Sequence, residues 1–212
     1  MSSRRRYLRS AACALLGAIL CFAPPHGLRA QGSDVLSPES VLRDPEIPVL
    51  GNPDGDVTVV EYFDYHCPYC KAVSPELAKL SKEDGKIRII MKEWPILGAD
   101  STKAARMALA ARYQGKYQQA HDALISARGR LTGPRVEELL QKAGIDVARA
   151  AKDLRTNRKS IDALLARNNA QAEAFGFQAT PSFIVGTYRY PGAAPVEHLK
   201  QMIEDVRAGK NK

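Results

Sequence analysis

Glu61-Tyr62-Phe63-Asp64-Tyr65-His66-Cys67-Pro68-Tyr69-Cys70-Lys71-Ala72-Val73-Ser74-Pro75 decides how the rest of the chain is read. Val57, Val59, Val60, Tyr62 and Phe63 make a short β-rich run, and Ala72, Leu77 and Leu80 follow at roughly helical spacing. Two cysteines therefore fall where a strand turns into a helix, with Cys67 at the helix N-terminus. Unpaired backbone N–H groups and the positive end of the helix dipole favour an anion there, and a thiolate is one. Such positions lower a cysteine pKa by roughly one to five units, and only the thiolate attacks a disulfide or holds a soft metal. Cys67 is the candidate nucleophile. Cys70, one helical turn on, can resolve a mixed disulfide by closing a small ring with Cys67.

Outward from this turn, the helix is expected over about 68–83, and Gly85 introduces a second apolar run, Ile87 to Met91. Strand, helix and strand in that order predict a βαβ unit with parallel strands. After Trp94-Pro95-Ile96-Leu97-Gly98 the pattern turns helical for some eighty residues. Helices are expected over 101–114, over 117–127 with Tyr117, Ala120, His121 and Leu124 on one face, and from Thr132 and Pro134 to Gly144. Asp146 and Ser160 read as two further N-caps, the last helix ending at Gly176. His121, on a mostly apolar face, reads as a packed core residue rather than a ligand. Thr180-Pro181 then opens a β-hairpin, and Val196, Leu199, Met202, Ile203 and Val206 mark a final amphipathic helix that Gly209 stops.

The first thirty residues carry Arg4, Arg5, Arg6, Arg9 and Arg29, no acid, and a 13-residue apolar run from Ala11 to Ala23. That is too short for a membrane span of roughly 20 residues and reads as a signal peptide cut after Ala30, although Leu28 departs from the small-residue rule. Ser3-Arg4-Arg5-Arg6-Tyr7-Leu8-Arg9 equally fits a twin-arginine export signal or an ordinary basic leader. Either way the expected location is periplasmic, without a membrane anchor. Of 31 Lys and Arg in the chain, the five leader arginines leave 26 against 23 acids. No basic block with interleaved aromatics remains to suggest nucleic acid.

Cys13 and Cys21 leave with the leader, so Cys67 and Cys70 are the cysteines of the mature chain. A structural bridge across two residues would restrain almost no unfolded-chain entropy, which favours redox use of the pair. A zinc site would need two more N or S ligands. Neither a metal nor an organic cofactor is expected. Residues 31–50 read as an arm, with a short helix near Pro38 to Arg43.

Cys67-Pro68-Tyr69-Cys70 at the first strand-to-helix turn, Glu61 six residues before it and Thr180-Pro181 heading a late hairpin together resemble the DsbA family of thiol:disulfide oxidoreductases over about residues 51–209. The resemblance implies an α/β thioredoxin-like fold, its first half at 51–96 and second at 177–212, interrupted by an α-helical insertion at 97–176. It implies that Pro181 is cis and faces the cysteines, that Thr180 holds a substrate chain as an added strand, and that Glu61 is a buried acid shuttling a proton for Cys70. It further implies that Pro75 kinks the active-site helix and that Pro68 and Tyr69 tune the redox poise. His66 either supports the thiolate or sits passively at the surface.

Pro-Tyr between the cysteines, with Thr before the hairpin proline, is closer to the DsbG and ScsC branches than to a strong oxidase. With only about twenty residues expected ahead of the domain, a dimeric isomerase of the DsbC or DsbG build is not expected and a monomer is favoured, an ScsC-type trimer staying open. Expected partners are cysteine-containing exported proteins and a membrane redox protein of the DsbB or DsbD/ScsB type, with oxidase, isomerase and reductase directions all open. Two other readings use the same residues differently. One is a Cu(I)-binding copper-tolerance protein holding the metal on both thiolates. The other is a peptide-binding module that works without its cysteines.

Overall fold

A computed structural model of the chain describes residues 35–210, so the expected signal peptide lies outside the described residues. Val57–Phe63 (β2) runs unbroken in apolar character because it is central. Every residue but Thr58 is buried, as expected for a strand covered on both faces. Before it come a short helix, Pro38–Leu42 (α1), and a three-residue strand, Val49–Gly51 (β1). After it come Pro68–Asp84 (α2) and Ile87–Glu93 (β3). The hairpin strands are Ser182–Val185 (β4) and Tyr188–Pro191 (β5).

The five strands lie in the order β1-β3-β2-β4-β5. β2 and β3 are parallel, with Glu61 opposite Met91 and Phe63 opposite Glu93, and the other three pairings are antiparallel. The parallel βαβ unit is thus present, and so is the hairpin. The segment expected as an arm does more than lead into the domain: β1 is the edge strand of the sheet, paired residue by residue with Arg88 to Ile90. Gly51 ends it at φ +70, and a Cβ there would approach the Ile87 carbonyl oxygen to 2.5 Å, so glycine answers both a left-handed turn and a close backbone approach.

Between β3 and β4 stand five helices: Ala99–Ala111 (α3), Tyr117–Ile125 (α4), Gly133–Lys142 (α5), Val147–Thr156 (α6) and Arg158–Ala174 (α7). Asp146 caps α6, its side chain accepting from the Arg149 N–H. Ser160 does not cap α7. That helix starts at Arg158, directly after the last turn of α6, and the Ser160 hydroxyl donates instead to Glu46. α7 is only weakly amphipathic because its buried polar residues face partners on the sheet: Asn168 donates to the Glu93 carbonyl (3.0 Å), and the Gln171 amide oxygen accepts from Tyr62 (3.1 Å) and Lys92 (2.9 Å). Tyr62 also meets the rings of Trp94, Phe175 and Phe177 edge-on. Val196–Arg207 (α8) closes the chain, burying Leu199, Met202 and Ile203.

Candidate active site

Cys67 is the N-cap of α2, in extended conformation (φ −71, ψ 119), with Pro68 in the first turn where a missing N–H costs nothing. Its sulfur accepts from the Cys70 backbone N–H at 3.5 Å and reaches the Thr180 carbonyl oxygen, to which the thiol donates at 3.1 Å. Both cysteines are free thiols. They differ in what surrounds them. Cys67 is 4% exposed at the rim, whereas Cys70 is wholly buried. α2 runs on through Pro75, which can make no hydrogen bond back to Lys71.

These surroundings drive the two thiols apart in acidity. The Cys70 thiol's hydrogen bond is the largest influence on Cys67 and lowers its pKa. Burial opposes this, while the Thr180 side chain and the backbone N–H groups of Cys70 and Tyr69 add to it, bringing Cys67 down to about 6. Cys70 is pushed far up, first by burial, then by its role as donor to Cys67 and by the nearby Glu61. A neutral-pH thiolate therefore sits beside a thiol that keeps its proton.

Glu61 is buried in β2 at 2% exposure. Burial, and then the charge of Cys67, raise its carboxyl to about 8. It lines a cavity of about 660 Å³ on the side of α2 that also carries Ser74 and Leu77, with His121 across the space. His121 is buried and held down to about 4 by desolvation, stacked against Tyr117 and 3.3 Å from the Tyr65 hydroxyl. It is the packed residue that its apolar face announced.

The peptide bond Thr180–Pro181 is cis, and Thr180, 7% exposed, meets Cys67 through the contact already described. Tyr69 projects from between the cysteines, 64% exposed. His66 is half-buried, and its ring lies on the segment between β3 and β4: Nδ1 is 2.7 Å from the Ser101 hydroxyl, and Nε2 is 3.2 Å from both the carbonyl and the N–H of Leu131. Lys71, on the far side of the pair, donates to the Ala127 carbonyl. Residues flanking the cysteines on either side thus end on the same segment, 127–131.

The site thereby gathers Cys67, Cys70, Glu61 and Thr180 at one end of β2, with Tyr69 beside them. Sequence reasoning overlooked the hold that Lys71, Ser101 and Leu131 exert on the turn. It also overlooked Asp64, a buried acid three residues before Cys67. Its signal was legible: an acid closing an apolar strand, directly before a reactive turn.

Among the described residues no group of three or more His, Cys, Asp or Glu could hold a metal ion, and no helix is long and apolar enough to cross a membrane. The family profile described as thioredoxin matches residues 43–205. A thioredoxin-like oxidoreductase of solved structure from Silicibacter pomeroyi DSS-3 is 40% identical, with a TM-score of 0.78, covering 81% of this chain and 98% of that one. The thiol-disulfide exchange protein alpha-DsbA2 from Wolbachia pipientis is 28% identical with a TM-score of 0.76, covering 82% and 95%. A curated relative, the Na(+)/H(+) antiporter NhaA 1 of Salinispora arenicola, is 28% identical over 163 residues. That match takes in 76% of this chain and 25% of the antiporter, so the chain spans about a quarter of the length of the curated relatives it matches.

Proposed function

The chain belongs to the thioredoxin family, and from that premise we propose that it is an exported protein disulfide oxidoreductase of the DsbA type, with Cys67 as nucleophile and Cys70 as resolving thiol. The observation that carries the reading is the opposed acidity of two sulfurs one helical turn apart, Cys67 near 6 and Cys70 far above its ordinary value. In the reducing direction, the Cys67 thiolate attacks a substrate disulfide, one substrate sulfur leaves as thiolate and takes up a proton, and a mixed disulfide remains. The mixed disulfide has removed the Cys67 charge, which eases ionisation of Glu61, and the Glu61 carboxylate takes the Cys70 proton as Cys70 attacks the Cys67 sulfur. The second substrate thiol is released, two electrons have passed to the substrate, and Cys67–Cys70 is oxidised. Run backwards, the same steps donate a disulfide.

Thr180 and Pro181 carry the extended substrate alongside the nucleophile, and Tyr69, exposed between the cysteines, offers it an apolar contact. The basic and apolar pattern of residues 1–30 supports export to the periplasm. There the substrates are cysteine-containing exported proteins, with a membrane protein of the DsbB or DsbD/ScsB type renewing the redox state.

Cu(I) would draw on the same two sulfurs, but one ready thiolate beside one protonated thiol, with an acid at hand to take that proton, is the division of labour that exchange needs, so disulfide exchange is the reading favoured here. Replacing Cys67 with Ser tests it: insulin reduction and disulfide transfer to a reduced peptide should both disappear, and retention of either activity would overturn the assignment. Reduced wild-type protein that binds Cu(I) tightly yet shows negligible turnover would instead favour the metal-binding reading.

A further inference from the structure

We propose that Asp64 is a positioning residue for the exchange reaction, clasping the turn that presents Cys67 to the loop that follows β3. The inference rests on the exchange reading of the two cysteines. Asp64 is 1% exposed, and each of its carboxyl oxygens is used: Oδ1 accepts the His66 N–H at 2.7 Å and Oδ2 accepts the Leu97 N–H at 2.9 Å. Its carbonyl accepts the Cys67 N–H at 3.0 Å. One residue therefore holds the nucleophile's N–H through its main chain and joins two separate loops through its side chain.

The consequence is geometric. Cys67 is acidic because donors from Cys70 and Tyr69 converge on its sulfur, and that convergence exists only while Cys67 stays in its extended N-cap conformation. The turn 64–67 contains no proline or glycine to stiffen it. The Asp64 clasp supplies the stiffness. It also fixes the exposed Leu97 beside His66, where the two residues line one shallow pocket at the site's edge.

The carboxyl's charge and the clasp act on Cys67 with opposite signs, which makes the inference testable. Asp64→Asn keeps the shape and one acceptor oxygen but turns an amide N–H₂ toward one of the two backbone N–H groups. Removing a nearby negative charge alone would lower the Cys67 pKa, whereas a loosened turn raises it. The Cys67 pKa is to be read from the pH dependence of its alkylation, together with the peptide-exchange rate and the melting temperature, in wild type, Asp64→Asn and Asp64→Glu.

The expected result is a rise of about one unit in Asp64→Asn, a roughly tenfold loss of thiolate well below the pKa. Asp64→Glu should not restore the wild-type value, because an extra methylene misplaces both oxygens. A fall in pKa would show that only the charge matters. An unchanged pKa and exchange rate beside a lower melting temperature would show plain structural support. Either result overturns the proposal. Amide hydrogen exchange in the wild-type protein covers the case of variants that fail to fold: the His66 and Leu97 N–H groups should exchange as slowly as those of β2, and fast exchange at Leu97 would dispose of the clasp. Wild-type Cys67 that proved unreactive at neutral pH would remove the exchange reading itself, a separate failure.

Discussion

Cys67 and Thr180, 113 residues apart in the chain, meet at the centre of the site: the thiol donates to the Thr180 carbonyl oxygen at 3.1 Å. After the Cys70 hydrogen bond, and against burial, the Thr180 side chain is the next influence on the Cys67 sulfur, and it favours the thiolate. Thr180→Val removes the hydroxyl with little change in volume. It should raise the Cys67 pKa by about half a unit and slow alkylation at pH 6 by roughly twofold, with no change in the Cys70 environment. A plot of alkylation rate against pH measures both effects.

Unequal exposure of the sulfurs should appear in labelling. Reduced protein treated with iodoacetamide near neutral pH should take one label per folded chain, on Cys67, with an inflection at about pH 6, because Cys70 is buried and holds its proton. Cys70→Ser should stop turnover at the mixed disulfide and accumulate a covalent complex with substrate, visible by non-reducing electrophoresis.

Glu61 is an acid whose folded pKa of about 8 lies above its ordinary 4.5. The stability associated with its protonated form is fully present below pH 4.5 and is lost as pH rises through 8. The maximum loss is about 5 kcal/mol, from a shift of 3.5 units at 1.36 kcal/mol each. Glu61→Gln should therefore be indifferent to pH over that window and more stable than wild type above pH 8, when reduced forms are compared by urea denaturation. The same variant should resolve mixed disulfides more slowly, since Cys70 loses its proton acceptor. Oxidation removes the Cys67 charge, so the Glu61 pKa should fall in the disulfide form.

Arg207 offers a contrast away from the chemistry. At the end of α8 it reaches Asp56 before β2 and Asp84 at the end of α2, at 2.6 to 3.1 Å. Arg207→Ala should cost about 1 kcal/mol of stability, less at high salt, because these groups are partly exposed. Cys67 reactivity should be unchanged; thermal melting at two ionic strengths and the alkylation assay check both halves.

The fold was legible where local patterns agree with tertiary environment. β2 and β3 read as apolar runs because both faces are covered, and the hairpin read from Thr180-Pro181. β1 escaped notice since three residues, Val49-Leu50-Gly51, carry no periodicity and stand between Pro48 and Asn52-Pro53. Ser160 looked like a cap because serine favours that place, yet the helix had already begun, and Glu46, 114 residues away, claimed its hydroxyl. At the site, Cys67 and Cys70 could be named from spacing, and Glu61 from the family resemblance. Asp64 could have been marked as an acid closing an apolar strand, but what its carboxyl, His66 and Lys71 hold could not, since those partners lie on loops brought together only by the finished fold.

His66 and Lys71 stand on opposite sides of the cysteines, and both reach the stretch from Ala127 to Leu131. The five α-helices between β3 and β4 are therefore no inert ornament on the sheet. Exchanging them for the corresponding piece of a relative would remake the seat on which the cysteine turn rests, so a graft chosen for its shape would have to bring partners for both of these side chains with it.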